Sequence, residues 1–163
     1  MDFQLSKELQ MLQKEIRNFA KKQIAPYVDE WDEKHYLPID EVMRPLGELG
    51  FFGTVIPEEY GGEDMGFLAA MIVTEELAKV SSSLRVQVNM QVLGCAYTIF
   101  RYGNEEVKKK YVEKLCTAEY IGGFGITESD AGSDVMAMAS TAEDKGDHWL
   151  LNGSKTWISN ANY

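Results

Sequence analysis

The sequence predicts an α+β chain: an all-helical domain over residues 1–118, then the start of an antiparallel β domain over 119–163. Three observations carry this. Apolar residues recur every three or four positions through the first two thirds, the apolar period shortens to two near residue 120, and glycine-centred turns punctuate the remainder.

Leu5, Leu9, Leu12, Ile16 and Phe19 form the stripe of an amphipathic helix, with Ser6 as N-cap and Glu8 in its first turn. Pro26 opens a second, short helix through Trp31. Leu37-Pro38-Ile39-Asp40 leads into a third over about 41–49, which Gly50 closes. Glycine and proline crowd residues 51–62, which therefore read as a connecting loop. Helical spacing returns at Phe67 and runs to about Lys79 through Leu68, Met71, Ile72 and Glu75. Ser81, Ser82 and Ser83 break it and cap the next helix, whose stripe of Val88, Val92, Cys95 and Ile99 ends at Gly103. Asn104 caps the last helix; Glu105 and Glu106 come first and Lys108, Lys109 and Lys110 later, an order that suits the helix dipole.

Residues 120–127, 136–143, 148–151 and 154–160 are strand-like. Lys145-Gly146-Asp147 and Asn152-Gly153 read as the turns between the last three, the second being the strongest short hairpin signal. Four short strands are few for a sheet that must bury a face and protect its edges, so the chain is expected to be the N-terminal part of a longer protein.

Composition removes several functions. Sixteen basic against 26 acidic residues leave a net charge of −10, which repels phosphate backbones and excludes nucleic acid as a partner. No apolar run approaches the ~20 residues that span a bilayer, and Met1-Asp2-Phe3-Gln4-Leu5 lacks the order of a signal peptide, so no membrane insertion and a cytoplasmic location are expected. Cys95 and Cys116 read as small core hydrophobes, offering neither a disulfide framework nor a metal site. His35 and His148 lie in different elements and support no zinc or Ser-His-Asp chemistry.

Chemistry concentrates in three places. Phe124-Gly125-Ile126-Thr127-Glu128-Ser129-Asp130-Ala131-Gly132-Ser133-Asp134 leads from a strand into a turn of small and hydroxyl residues, where backbone N–H groups can reach a ligand; an ordinary strand connection has the same chemistry. In Thr156-Trp157-Ile158-Ser159-Asn160, strand alternation places Trp157 and Ser159 on one face, either as an apolar wall with a hydroxyl beside it or with Trp157 as a core anchor. Arg85, in the first turn of its helix, and Asn89, one turn later, make either an anion site or an arginine that reaches solvent or a structural carboxylate.

Together these segments resemble the acyl-CoA dehydrogenase family. Gly125-Ile126-Thr127-Glu128-Ser129-Asp130-Ala131-Gly132-Ser133-Asp134 is similar to its first signature, and Leu151-Asn152-Gly153-Ser154-Lys155-Thr156-Trp157-Ile158-Ser159-Asn160 to the hairpin that follows. Gly50-Phe51-Phe52-Gly53, Pro57-Glu58-Glu59-Tyr60-Gly61-Gly62 and Tyr102-Gly103-Asn104-Glu105-Glu106 extend the likeness upstream. Ser129 stands where the family usually has proline, and Ser159 where threonine is common.

The resemblance implies a helical domain, a middle antiparallel β domain and a C-terminal helical domain, the last absent here. It also implies FAD, an acyl-CoA substrate, electron-transfer flavoprotein as partner and a homo-oligomer (homotetramer). Phe124, Gly125, Ile126 and Thr127 would run along the flavin, Trp157, Ile158 and Ser159 would pack and hydrogen-bond near its hydride-accepting nitrogen, and Ser133 would meet the CoA. The family's base, usually glutamate, belongs to the C-terminal domain, so none is assigned; Glu75, Glu76 and Glu128 are expected to be solvated charges.

Ser83-Leu84-Arg85 followed by Asn89 resembles the glutaryl-CoA dehydrogenase branch, in which the matching arginine binds the distal carboxylate. Ala78 stands where decarboxylating members tend to carry glutamate, so the implied product is glutaconyl-CoA rather than crotonyl-CoA. The alternatives are a dehydrogenase for an alicyclic or short-chain acyl-CoA, the acyl-CoA oxidases and flavin monooxygenases that share the fold, and a non-catalytic interaction module on the same scaffold.

Overall fold

In the computed structural model, which describes residues 4–163, the Ser6 hydroxyl accepts the Leu9 N–H and starts α1, Lys7–Phe19. Met1, Asp2 and Phe3, on which the reading against a signal peptide leans, lie outside the described residues. A π-helical turn, Ala20–Ile24, continues α1. Pro26 then falls in a turn and α2 begins only at Val28, running to Glu33, because the chain must first leave the π turn. Helix α3 spans Ile39–Glu48; Gly50 ends it at φ +76°, where the Phe51 N–H reaches back to the Leu46 carbonyl.

The loop expected at 51–62 forms a large part of the core. Phe51, Phe52 and Ile56 are buried among the helices, although the segment has only one short 3₁₀ turn, Glu58–Tyr60. Its peptide groups pair internally: Gly53 O accepts from Ile56 and Glu63, Ile56 O from Asp64, Thr54 O from Gly66. A Cβ at Gly62 would stand 1.9 Å from the Ile56 carbonyl oxygen, so no other residue fits there.

Helix α4, Phe67–Ala78, packs against α1 and against α5, Ser82–Asn89, which Ser81 caps through the Leu84 N–H. A π-helical stretch, Met90–Tyr97, continues α5 into α6, Thr98–Tyr102; the Thr98 hydroxyl takes up the Leu93 carbonyl. Asn104 caps α7, Glu105–Cys116, through the Val107 N–H. Gln91, fully buried in the π stretch, donates to the carbonyls of Leu115 and Tyr120 and accepts from the Gly122 N–H, each at 2.8 Å. One carboxamide thus fixes the end of α7 and the chain that follows it.

The chain divides into two units, Met1–Gly122 and Gly123–Tyr163. In the second, two of the four strand-like stretches form strands among the described residues. β1, Thr141–Asp144, and β2, Trp149–Asn152, pair antiparallel, with Thr141 opposite Asn152 and Asp144 opposite Trp149. Residues 120–127 and 154–160 carry no ladder: the first stretch starts in a bend at Tyr120, the second bends at Trp157 and turns at Ser159 and Asn160, and 136–140 begins in a 3₁₀ turn, Val135–Ala137. Strand period is a side-chain signal, whereas a strand exists only where a neighbour supplies donors and acceptors. Asn152-Gly153 likewise makes no hairpin turn: β2 ends there, and the one hairpin closes through Lys145 and His148.

Glu76 corrects the expectation of a solvated carboxylate. It lies on α4 with its side chain 2% exposed, takes two hydrogen bonds from Arg17 at 2.9 and 2.8 Å and one from Lys79 at 2.8 Å. The Arg17 guanidinium, helped by Lys79, outweighs burial and holds its carboxyl down at about 2. The pair ties α1 to α4.

Two predictions follow from this packing. Glu76→Gln leaves Arg17 without its charge partner and should cost on the order of 3 kcal/mol in urea unfolding at pH 7. Because the folded-state pKa is depressed, the carboxylate's contribution is whole above the ordinary carboxylate range and fades as pH falls from there toward 2; the variant should lose that part of the acid slope. Cys95 and Cys116 are free and buried, and burial pushes their thiols up to about 11 and about 12, so both should resist a thiol reagent in the native protein and react only after unfolding.

Candidate functional site

In the Gly123–Tyr163 unit the two signature-like segments lie beside each other. The Thr156 N–H donates to the Thr127 carbonyl at 2.9 Å, and a Cβ at Gly123 would stand 3.3 Å from the Ser159 carbonyl. Gly125 rests over the Lys155 stem, 3.4 Å from where its Cβ would be.

Phe124, Gly125, Ile126 and Thr127 form neither helix nor strand, and their N–H groups find no acceptor among the described residues. Strand alternation does not continue through the second segment: Trp157 sits at φ +57° and Asn160 at φ +67°, both left-handed. Trp157 is therefore turned out of the strand path and is 91% exposed, which excludes it as a core anchor of this unit. Ile158 and Ser159 are half-buried beside it, and Ser133 is exposed in the turn ahead of Val135.

Glu128 is the second carboxylate to depart from the solvated expectation. Its side chain is 10% exposed and accepts from the Ala139 N–H at 2.8 Å, the Ser140 N–H at 3.1 Å and Lys155 Nζ at 2.7 Å. Chiefly the Lys155 ammonium holds its carboxyl down at about 2. Lys155 Nζ also donates to the Ile126 carbonyl at 3.1 Å. Sequence reasoning treated Glu128 as turn chemistry and passed over Lys155; the one available signal was that Lys155 is the single charged residue of 152–160.

Arg85 and Asn89 belong to the other unit, on one face of α5 a turn apart. Both are half-buried, and among the described residues neither side chain has a hydrogen-bond or ion-pair partner. Arg17 and Arg44, by contrast, pair with Glu76 and Asp40. Ala78 is exposed at the end of α4. No group of three or more His, Cys, Asp or Glu suited to a metal occurs among the described residues, and none of their helices is long and apolar enough to cross a membrane.

A helical domain leading into a glycine-rich, hydroxyl-bearing segment beside an outward-turned tryptophan defines a class by its domains. Residues 6–119 match the acyl-CoA dehydrogenase N-terminal domain and residues 123–163 the acyl-CoA dehydrogenase middle domain. The chain belongs to the acyl-CoA dehydrogenase family. More particularly, it is 75% identical over 163 residues to a glutaryl-CoA dehydrogenase of Desulfococcus multivorans, covering 99% of this chain and 42% of that relative.

A solved structure of a glutaryl-coenzyme A dehydrogenase in complex with glutaryl-CoA matches at 74% identity and a TM-score of 0.96, over 99% of this chain and 42% of that one. A glutaryl-CoA dehydrogenase of Mycobacterium smegmatis, solved in complex with FADH2, matches at 32% identity and a TM-score of 0.89, over 97% and 40%. The chain thus spans about two fifths of the length of the relatives it matches.

The exposure of Trp157 makes a direct prediction about stability. Trp157→Ala should move the unfolding free energy by no more than about 0.5 kcal/mol, since little burial is lost. A loss of several kcal/mol in denaturant titration would restore the core-anchor reading.

Proposed function

We propose that the protein carrying this chain is a FAD-dependent acyl-CoA dehydrogenase that converts glutaryl-CoA to glutaconyl-CoA. One observation carries the substrate assignment: Arg85 is a half-buried guanidinium with no carboxylate partner among the described residues, with the unpartnered amide of Asn89 one turn on. Identity of 75% to a glutaryl-CoA dehydrogenase supports it.

The residues in the second unit fit a flavin. A planar, polar-edged ring needs an apolar face to stack on and donors along its rim, and Trp157 and the N–H groups of residues 124–127, which have no acceptor among the described residues, offer both. Phe124, Gly125, Ile126 and Thr127 would hold the ring's polar edge, and Trp157, Ile158 and Ser159 its hydride-accepting side. When bound, the flavin supplies the hydride acceptor for the β-hydrogen of the thioester.

The remaining work falls to this chain's side chains. Arg85 can hold the distal carboxylate by two charge-assisted hydrogen bonds while Asn89 donates a third, which fixes one end of the substrate so that its reacting carbons are presented in a single register. Ser133 would bind the CoA moiety. Ala78 offers no carboxylate near the bound acid, consistent with a product that keeps its carboxyl group. Glu76 and Glu128 are committed to Arg17 and Lys155, so neither is free to take the α-proton, and no base is assigned within residues 1–163. Electron-transfer flavoprotein as acceptor and a homotetrameric assembly complete the proposal on the support of the family resemblance, and the two free cysteines, Cys95 and Cys116, suit the reducing compartment of a cytoplasmic location.

The deciding experiment is kinetic. In the protein carrying this chain, Arg85→Met should lower kcat/KM on glutaryl-CoA by about 10- to 100-fold, the worth of a charge-assisted pair, while sparing a neutral acyl-CoA of similar length. Equal losses on both substrates, or a wild type that prefers the neutral one, would assign the enzyme to an alicyclic or short-chain acyl-CoA. Crotonyl-CoA as main product would overturn the non-decarboxylating assignment alone. For the flavin, Ser159→Ala should slow cofactor reduction more than it weakens substrate binding, because a bond that strengthens as hydride arrives acts on the transition state.

A further inference from the structure

The reading above uses the Lys155–Glu128 pair only to set Glu128 aside as a base, yet Lys155 touches the proposed flavin segment directly. Lys155 lays its aliphatic stem beneath Gly125 and turns its ammonium onto the Ile126 carbonyl. Glu128 anchors that ammonium, and its own position is set by the backbone N–H groups of Ala139 and Ser140.

In a planar trans peptide the carbonyl and the following N–H point in opposite directions. Holding the Ile126 carbonyl on Lys155 therefore aims the Thr127 N–H away from Lys155. That N–H has no acceptor among the described residues, while the Thr127 carbonyl is occupied by the Thr156 N–H. The peptide on each side of Thr127 is thus gripped by a residue of the Trp157 segment.

We infer that Lys155, anchored by Glu128, is a positioning residue for the cofactor: it fixes the direction in which the Thr127 N–H is presented to the acceptor edge of the flavin. The inference rests on the flavin site proposed above. It assigns Lys155 no contact with the cofactor, and it separates two functions of one side chain, the stem that supports Gly125 and the ammonium that orients the peptide.

Lys155→Met keeps the stem and removes the ammonium, so it isolates the second function. In the apo-form of the protein carrying this chain, titrated with FAD and followed by flavin fluorescence quenching, the variant should bind about tenfold more weakly, the loss of one charge-assisted hydrogen bond. Glu128→Gln should act in the same direction, and the double variant should be little worse than either single one, since all three disable one device. Should Lys155→Met fail to fold, Glu128→Gln provides the same reading alone.

A lowered melting temperature of the apo-protein with unchanged FAD affinity would make the pair structural and overturn the inference, as would strictly additive losses. Trp157→Ala separates this from failure of the flavin site itself. If it weakens FAD binding and neither clamp variant does, the clamp alone is wrong; if none of the variants alters FAD binding, both readings fall.

Discussion

The helical unit depends on burying an irregular segment without stranding its peptide groups. Phe51, Phe52 and Ile56 fill the space among the helices, and fully burying each such side chain contributes about 1.5–3 kcal/mol. No helix could deliver three large residues there and still return the chain to the start of α4. The cost of irregular backbone is unpaired N–H and C=O groups, which residues 53–66 avoid by bonding to one another across a tight double turn. Gly50 and Gly62 occupy points where a left-handed φ or a 1.9 Å approach leaves no alternative. Gln91 applies the same solution at the other end of the unit, with a side-chain amide standing in for missing backbone partners.

These requirements explain what the sequence revealed about the fold. The helices were legible because amphipathic spacing and capping residues are local: Ser6, Ser81 and Asn104 each accept the N–H three residues on, as their positions implied. The π turns at Ala20–Ile24 and Met90–Tyr97 were not, because one extra residue per turn changes the phase of a stripe without changing its composition. The burial of residues 51–56 was hidden for a related reason. Glycine and proline announce a turn, but whether a turn lies on the surface or in the core is decided by residues far away in sequence. Strand patterns at 120–127 and 154–160 do not become strands, since pairing partners are not a local property, and in the second stretch Trp157 and Asn160 turn left-handed.

Motif and geometry contributed different parts of the candidate site. The residues of both signature-like segments were legible as a resemblance, and the structure lays the segments side by side through Thr127 and Thr156. What periodicity could not show is that Trp157 leaves the strand path at φ +57°, which turns a candidate core residue into an exposed face. Nor could it show that Glu76 and Glu128, alike as surface carboxylates in the sequence, are a buried and a half-buried anchor for Arg17 and Lys155. Composition assigns a charge to a residue, but burial and partners decide whether that charge can act as an acid, a base or a strut.

The same distinction separates the arginines of the helical unit. Arg17 is satisfied by a nearly inaccessible carboxylate, and Arg44 by Asp40 with a further bond to the Ala118 carbonyl. Both therefore spend their charge within the fold. Arg85 stands half-buried on α5 with no such partner among the described residues, on a chain with ten more acidic than basic side chains. In a protein so rich in carboxylates, an arginine partly withdrawn from water and left unpaired is an unfavourable choice for stability alone, because a guanidinium gains most from a planar, bidentate acid. Under the proposed function, a substrate that brings its own carboxylate would remove that disadvantage at the moment of binding, and the charge balance of α5 would then bear on specificity rather than on the fold.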